Sequence, residues 1–227
     1  MKALAILDCV SPDALTAKYG PCGGVVADWL SPHLPDAALV RFDLPGGDVL
    51  PIADAFDGYV ISGSEKGVYD ETPWMEPLRQ FLLDVKAAGK PVFGICFGHQ
   101  IMADVYGGKA EKVDKGFIAG AQSFDLAGQP IKAHVAHQDQ VTVTPPNAHI
   151  TASAPYCPVA ALAYDFPALS VQFHPEYRDY FVGDLIDMFG DEMMTAEQIV
   201  ESKTSLTGDV PVDLFGTEVA AFFGANT

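Results

Sequence analysis

Pro91-Val92-Phe93-Gly94-Ile95-Cys96-Phe97-Gly98-His99-Gln100 is the stretch on which the fold turns. Its first five residues are a short apolar run of the kind that forms a strand buried on both faces. From Phe97 onward Ile101, Met102 and Val105 recur at helical spacing until Gly107-Gly108 ends the pattern. A strand that becomes a helix within one residue leaves no room for side chains two positions before and two after the turn, and Gly94 and Gly98 supply that room. Cys96 at the apex is then held above the sheet beside a helix N-terminus. Backbone N–H groups and the positive end of the helix dipole there favour a thiolate.

Outward from this turn, strand and helix signals alternate. Lys2 to Leu7, Ala38 to Leu44 and Gly58-Tyr59-Val60-Ile61 read as strands. Tyr19 to Gly24 reads as a Gly/Pro loop before a helix with Val26, Trp29 and Leu30 on one face. Pro73 to Lys90 places Trp74, Leu78, Phe81, Leu82 and Val85 at helical spacing, with Gly89 at its end. Such alternation predicts a three-layer α/β sandwich with a mostly parallel central sheet, because crossover helices must cover both faces. From Gly108 to Thr144 the pattern loosens, which suggests antiparallel strands added at one side. Ala168 to Phe173 is again a buried strand. Three helical stretches follow, marked by Phe181, Leu185, Met188 and Phe189, by the capping box Thr195-Ala196-Glu197-Gln198, and by Phe215, Val219, Phe222 and Phe223. No linker or repeat divides the chain, so residues 1–227 are expected to form one domain.

Composition narrows the function classes. A formal charge of −17 repels phosphate backbones and anionic membrane surfaces, and no Lys/Arg stripe offsets it, so neither is an expected partner. The acidity itself reads as a solubilising surface suited to saline surroundings. With no run of 18 apolar residues and Asp8 interrupting any N-terminal signal stretch, a cytoplasmic location is expected. Cys9, Cys22, Cys96 and Cys157 show no CxxC spacing, which leaves thiols free for chemistry. His134, His137 and Asp139 supply three possible metal donors. On a strand, however, His134 and His137 face opposite sides and no fourth ligand is evident, so a structural or pocket-lining role is favoured and no metal is expected. His99 follows Cys96 too closely on one helix to be its base and is read as packing. Cys9, Cys22 and Cys157 are read as core or loop residues.

A cysteine nucleophile needs a base, and the base needs a group that fixes its tautomer. Val171-Gln172-Phe173-His174-Pro175-Glu176 supplies both. Residues two apart on an extended backbone project to the same side, so Glu176 can hold one imidazole nitrogen of His174 while the other faces the thiol.

These two motifs together resemble the signature of class I glutamine amidotransferases, in particular stand-alone members similar to the glutaminase part of GMP synthase. Ile61-Ser62-Gly63-Ser64, Val68-Tyr69-Asp70, Gly107-Gly108-Lys109 and His137-Gln138-Asp139-Gln140-Val141 extend the likeness. The resemblance implies the flavodoxin-like fold of that family and cleavage of a γ-glutamyl amide without a cofactor. It casts Cys96 as nucleophile, His174 as base and Glu176 as its orienter. It places the backbone N–H groups of Ser64 and Phe97, beside Gly63, against the tetrahedral oxygen. It sets Gln100, with Gln138 and Asp139, against the glutamyl head group. Ser64 departs from the pattern, since many relatives carry glycine there. No nucleotide-binding P-loop is present, so the acceptor of the nitrogen is not written in the chain. A separate synthetase partner, a free-standing γ-glutamyl hydrolase or peptidase, and a catalytically quiet regulatory subunit all remain open at this point.

Overall fold

A computed structural model describes residues 3–227. Strand β1 runs Ala3–Asp8 and is buried from Leu4 onward; Lys2, expected to begin it, lies outside the described residues. Strands β2 (Ala38–Asp43), β3 (Gly58–Ile61) and β4 (Val92–Ile95) fall where the apolar runs place them. The region from Gly108 onward forms β5 (Lys109–Lys112), β6 (Ile118–Leu126), β7 (Gln129–His137) and β8 (Asp139–Val143). Then come β9 (Ala148–Ala154), β10 (Cys157–Tyr164) and β11 (Ala168–Val171).

Nine of these strands make one sheet in the order β2-β1-β3-β4-β11-β10-β9-β6-β7, and β5 pairs with β8 in a separate ribbon. From β2 to β11 all neighbours are parallel. Beyond β11 every pairing is antiparallel. The antiparallel addition therefore runs twenty residues further along the chain than the loosened pattern suggested (164 − 144 = 20), to Tyr164. Short stretches such as Val159-Ala160-Ala161-Leu162 are buried on both faces and carry no polar alternation that would reveal them as hairpin strands.

The parallel half is covered on both sides. Alternate residues of β1 separate into two cores: Leu4 and Ile6 pack with α2 (Cys22–Leu30), whereas Ala5 and Leu7 face the opposite layer. Helix α7 (Val212–Ala225) joins α2 on the first side, through Phe215, Val219 and Phe223 and through the Trp29 Nε1–H, which donates to the Val212 carbonyl at 3.0 Å. Helices α3 (Met75–Ala87) and α4 (Phe97–Val105) cover the second side with Leu78, Phe81, Leu82, Ile101 and Met102. Each fully buried aliphatic side chain contributes about 2 kcal/mol by removal from water, so the matched alternation on a single strand fixes its register strongly.

Two details sharpen the sequence reading. The expected loop from Tyr19 to Gly24 shrinks to Gly20-Pro21, because α1 (Ala14–Tyr19) precedes it and α2 already begins at Cys22. Asp13 caps α1 in a reciprocal box with Thr16. At α2 the buried Asp8 carboxylate accepts the Gly23 N–H at 2.8 Å and pairs with Arg41 at 2.6 Å. A free helix donor is thereby satisfied even though glycine is a poor helix former. After the last strand come α5 (Asp179–Met193), α6 (Ala196–Thr204) and α7. The Thr195/Gln198 capping box at the start of α6 has both of its hydrogen bonds. Helices α1 and α5 close a third core around Leu15, Ala119, Tyr177, Phe181 and Leu185.

Candidate active site

The site lies at the carboxyl ends of β3, β4 and β11, where α4 leaves the sheet. Cys96 adopts φ 53°, ψ −101°, a left-handed backbone that a non-glycine residue holds only when its surroundings force it. Those surroundings are the two glycines. A Cβ at Gly94 would stand 2.6 Å from the Gly98 carbonyl group, and one at Gly98 would stand 2.5 Å from the Ile61 oxygen. The Cys96 N–H donates to the Val171 carbonyl at 2.8 Å, which ties the elbow to β11.

The chain continues from β11 into Gln172, Phe173 and His174, and the His174 N–H donates to the His134 carbonyl of β7 at 2.7 Å. Pairing with two different strands thus carries the imidazole over to the elbow. Its Nδ1 lies 2.7 Å from Glu176 Oε1, so Nε2 is left for the Cys96 sulfur, whose charge also acts on the imidazole. Burial by itself would push the imidazole pKa down. The Glu176 carboxylate, and after it the Cys96 sulfur, outweigh burial and raise it to about 10. Gly63 closes the third side, since a Cβ there would sit 3.0 Å from His174 Cε1 and 3.8 Å from Cys96 Cβ.

Gly63, Ser64, Cys96, Gln100, Gln138, Asp139 and His174 all line one cavity of about 310 Å³. Two expected site residues lie behind its wall. Glu176 is buried beneath His174, and the Phe97 side chain packs edge-on against Trp74 in the core, so Phe97 can offer only its backbone. Ser64 has a definite task in the loop after β3. Its hydroxyl donates to the Cys9 carbonyl at 2.7 Å and accepts the Lys66 N–H at 3.0 Å, pinning the loop after β3 to the end of β1.

Gln172 and Tyr177 stand at the site although the motifs assigned them no role. Gln172 Nε2 donates to the Cys96 sulfur at 3.6 Å, and Gln172 Oε1 accepts from Gln100 Nε2 at 3.1 Å. Gln100 Nε2 also reaches the Asp139 carbonyl at 2.9 Å, so an amide chain runs from the β8 end to the thiol. The signal for Gln172 was its spacing, because residues 172, 174 and 176 share one side of an extended chain. The Tyr177 ring lies parallel to the imidazole of His174 at 4.0 Å.

His137 lines the cavity and donates Nδ1–H to the Asp139 carbonyl at 3.1 Å, and burial pushes its pKa down to about 4. His134 instead bonds Asp179 at 2.7 Å and the Tyr177 carbonyl at 3.0 Å, holding the start of α5. The two histidines thus separate into a structural and a pocket-lining residue. His99 is packed inside, between Ser170 Oγ at 2.8 Å and the Val159 carbonyl at 3.1 Å, and burial drives its pKa down to about 3. Among the other cysteines Cys9 and Cys157 are core residues, whereas Cys22 reaches the cavity wall; burial raises the pKa of all three.

The sequence model of the family described as glutamine amidotransferase class-I matches residues 37–180, which include the elbow and the His174-Pro175-Glu176 turn. The chain belongs to that family. Among its relatives is γ-glutamyl peptidase 3 of Arabidopsis thaliana, 30% identical over 169 residues, a match covering 67% of this chain and 68% of that one. The glutamine-hydrolysing GMP synthase of Bordetella avium is 38% identical over 141 residues, 55% of this chain. The match spans 26% of the synthase, and a second Arabidopsis enzyme, γ-glutamyl peptidase 5, is matched over 59% of its length. The crystal structure of a glutamine amidotransferase from Thermotoga maritima superposes with a TM-score of 0.77 at 16% identity, covering 98% of this chain and 96% of that one. The α/β fold, with its large central sheet parallel through the half that carries the elbow, is that of the class I amidotransferases.

Proposed function

We propose that this amidotransferase-family chain hydrolyses the γ-amide of glutamine, or of another γ-glutamyl compound, through a thioester on Cys96. The observation that carries this reading is the buried relay Glu176–His174–Cys96 at a strained elbow facing a cavity. The sulfur attacks the γ-carbonyl carbon, the S–C bond forms, and His174 holds the thiol proton. As the C–N bond breaks, that proton passes to the leaving nitrogen. Water, activated by the same imidazole, then cleaves the thioester to glutamate and restores the thiol.

Oxyanion stabilisation is assigned to the Ser64 and Phe97 N–H groups, neither of which has an acceptor among the described residues. Such donors are worth about 3 kcal/mol each in comparable sites. Because Gln100 Nε2 is committed to Asp139 and Gln172, the atom it offers is Oε1, an acceptor suited to the substrate's ammonium group. Gln138 and Asp139 complete the polar end of the cavity, and Gly63 leaves space for the imidazole.

With glutamine, ammonia would pass to an acceptor, a separate synthetase subunit being the natural partner. Free-standing γ-glutamyl hydrolysis is the second reading, favoured by the γ-glutamyl peptidases among the relatives. A catalytically quiet regulatory subunit would have no use for a buried Glu176–His174 pair set beside a thiol at the elbow. The whole of residues 1–227 is taken as one catalytic domain working in the cytoplasm, where its four free cysteines stay reduced. Among the described residues no helix is long and apolar enough to cross a membrane.

The test is Cys96→Ala, which should abolish release of glutamate from γ-glutamyl substrates while the thermal transition stays within a few degrees. A glutamine-analogue electrophile should add one adduct, on Cys96, seen by peptide mass spectrometry. Undiminished turnover in the variant, or labelling elsewhere only, would overturn the assignment.

A further inference from the structure

The cavity is polar at one end and apolar at the other, and His174 lies between the two. At the polar end are Ser64, Gln100, Gln138 and Asp139. Beyond His174 the wall changes character. Tyr177 stacks on the imidazole at 4.0 Å, Phe181 lies against Tyr177 at 4.3 Å, and Leu185, Phe189 and Met193 continue the stripe at intervals of four along α5. Leu15 of α1, Val25 of α2 and Phe117 before β6 also line the cavity. This arm is open rather than sealed core, since Phe117 and Phe189 are half-buried and Met193 is 42% exposed. The other polar groups lining the cavity include the exposed carboxylates Asp13, Glu65 and Glu192 against Lys66, the one Lys or Arg of the lining, which lies 3.7 Å from Glu65.

The direction of the reaction connects this arm to a substrate. His174 must reach the leaving nitrogen to protonate it, so whatever that nitrogen carries extends past His174, away from the glutamyl head group. Resting on the γ-glutamyl hydrolysis argued above, we infer that the apolar arm is a leaving-group subsite and that the substrates are γ-glutamyl amides of uncharged, apolar amines. An aromatic ring on the amine would lie along Tyr177, Phe181 and Leu185. A free carboxylate on the amine, as in a γ-glutamyl amino acid, would meet the acidic residues of the wall. Ammonia would leave the arm empty.

The experiment compares kcat/KM of the full chain for γ-glutamyl benzylamide, γ-glutamyl methylamide, γ-glutamyl phenylalanine and glutamine. Burial of one ring predicts a preference of about tenfold or more for the benzylamide over the methylamide. The phenylalanine conjugate should fall below the benzylamide and gain on it as salt is added, because salt screens the acidic wall. Phe189→Ser and Met193→Glu should each lower the benzylamide-to-methylamide ratio several-fold. Because that ratio is read within one preparation, loss of folded enzyme cancels. Equal values for the two amides, or glutamine as the best substrate, would overturn the subsite while leaving γ-glutamyl hydrolysis intact. Absence of turnover with all four would remove the underlying reaction as well.

Discussion

At residue scale the pair His174 and Glu176 governs the pH behaviour of the site. The imidazole's pKa, raised to about 10, lies above its unfolded value of about 6.5, so its proton is held more tightly in the folded chain. A step that needs imidazolium is therefore supported through neutral pH and lost as pH rises through about 10, and kcat/KM should carry an alkaline limb there. Glu176→Gln removes the largest raising influence and leaves only the Cys96 sulfur to oppose burial. The limb should then move to lower pH, and kcat/KM at neutrality should fall by about a hundredfold or more. A limb unchanged in the variant would show that another group controls it. The pair itself was legible, because spacing of two on an extended chain predicts a shared side. Gln172 belongs to the same alternation, yet its contact with sulfur depends on how closely α4 approaches β11, which no local pattern encodes.

At the scale of elements the elbow is decided by two close approaches. Gly98 stands against the Ile61 carbonyl, backbone on backbone, so neither partner can rotate away from an added methyl. Gly98→Ala should cost about 1–3 kcal/mol in denaturant unfolding. It should also slow electrophile labelling of Cys96 by more than the stability loss explains, since the turn that aims the sulfur must shift. A variant with wild-type labelling and stability would mean that the elbow is less constrained than its φ of 53° indicates. Strands β3 and β4 and helices α3, α4 and α6 could be read from period, punctuation and the capping box. Strand β10 could not, because an antiparallel strand buried on both faces leaves the same apolar run as a parallel one; β9, with His149 and Ile150 exposed, carries too weak an apolar pattern to be read.

For the whole molecule, acid lability follows from buried histidines distant in sequence. Burial lowers His99 to about 3 and His137 to about 4, both below the unfolded value of about 6.5. Between these limits the unfolded chain binds more protons, so stability is full above about pH 6.5 and declines as pH falls below it. From pH 6.5 to 5 each histidine contributes a loss of roughly 2 kcal/mol. Falling pH also relieves repulsion in a chain of charge −17. The difference between wild type and His99→Asn isolates the histidine's part, and the variant's urea midpoint should depend less steeply on pH in this window. Equal slopes would indicate that His99 is not held neutral by burial.

The sequence by itself determined the parallel half of the sheet, the elbow, and the cysteine, histidine and glutamate proposed as nucleophile, base and orienter, because each is written in local period, spacing or steric demand. Only the tertiary structure decided that residues from β4, the end of β11 and the loop after β3 converge within hydrogen-bond reach. It also decided that α1 and α5 extend the site with an apolar arm. Those outcomes depend on strand order and helix docking across dozens of residues, where a stripe such as Phe181, Leu185 and Phe189 reads alike as sealed core or as the wall of an open cavity until its partner surfaces are in place.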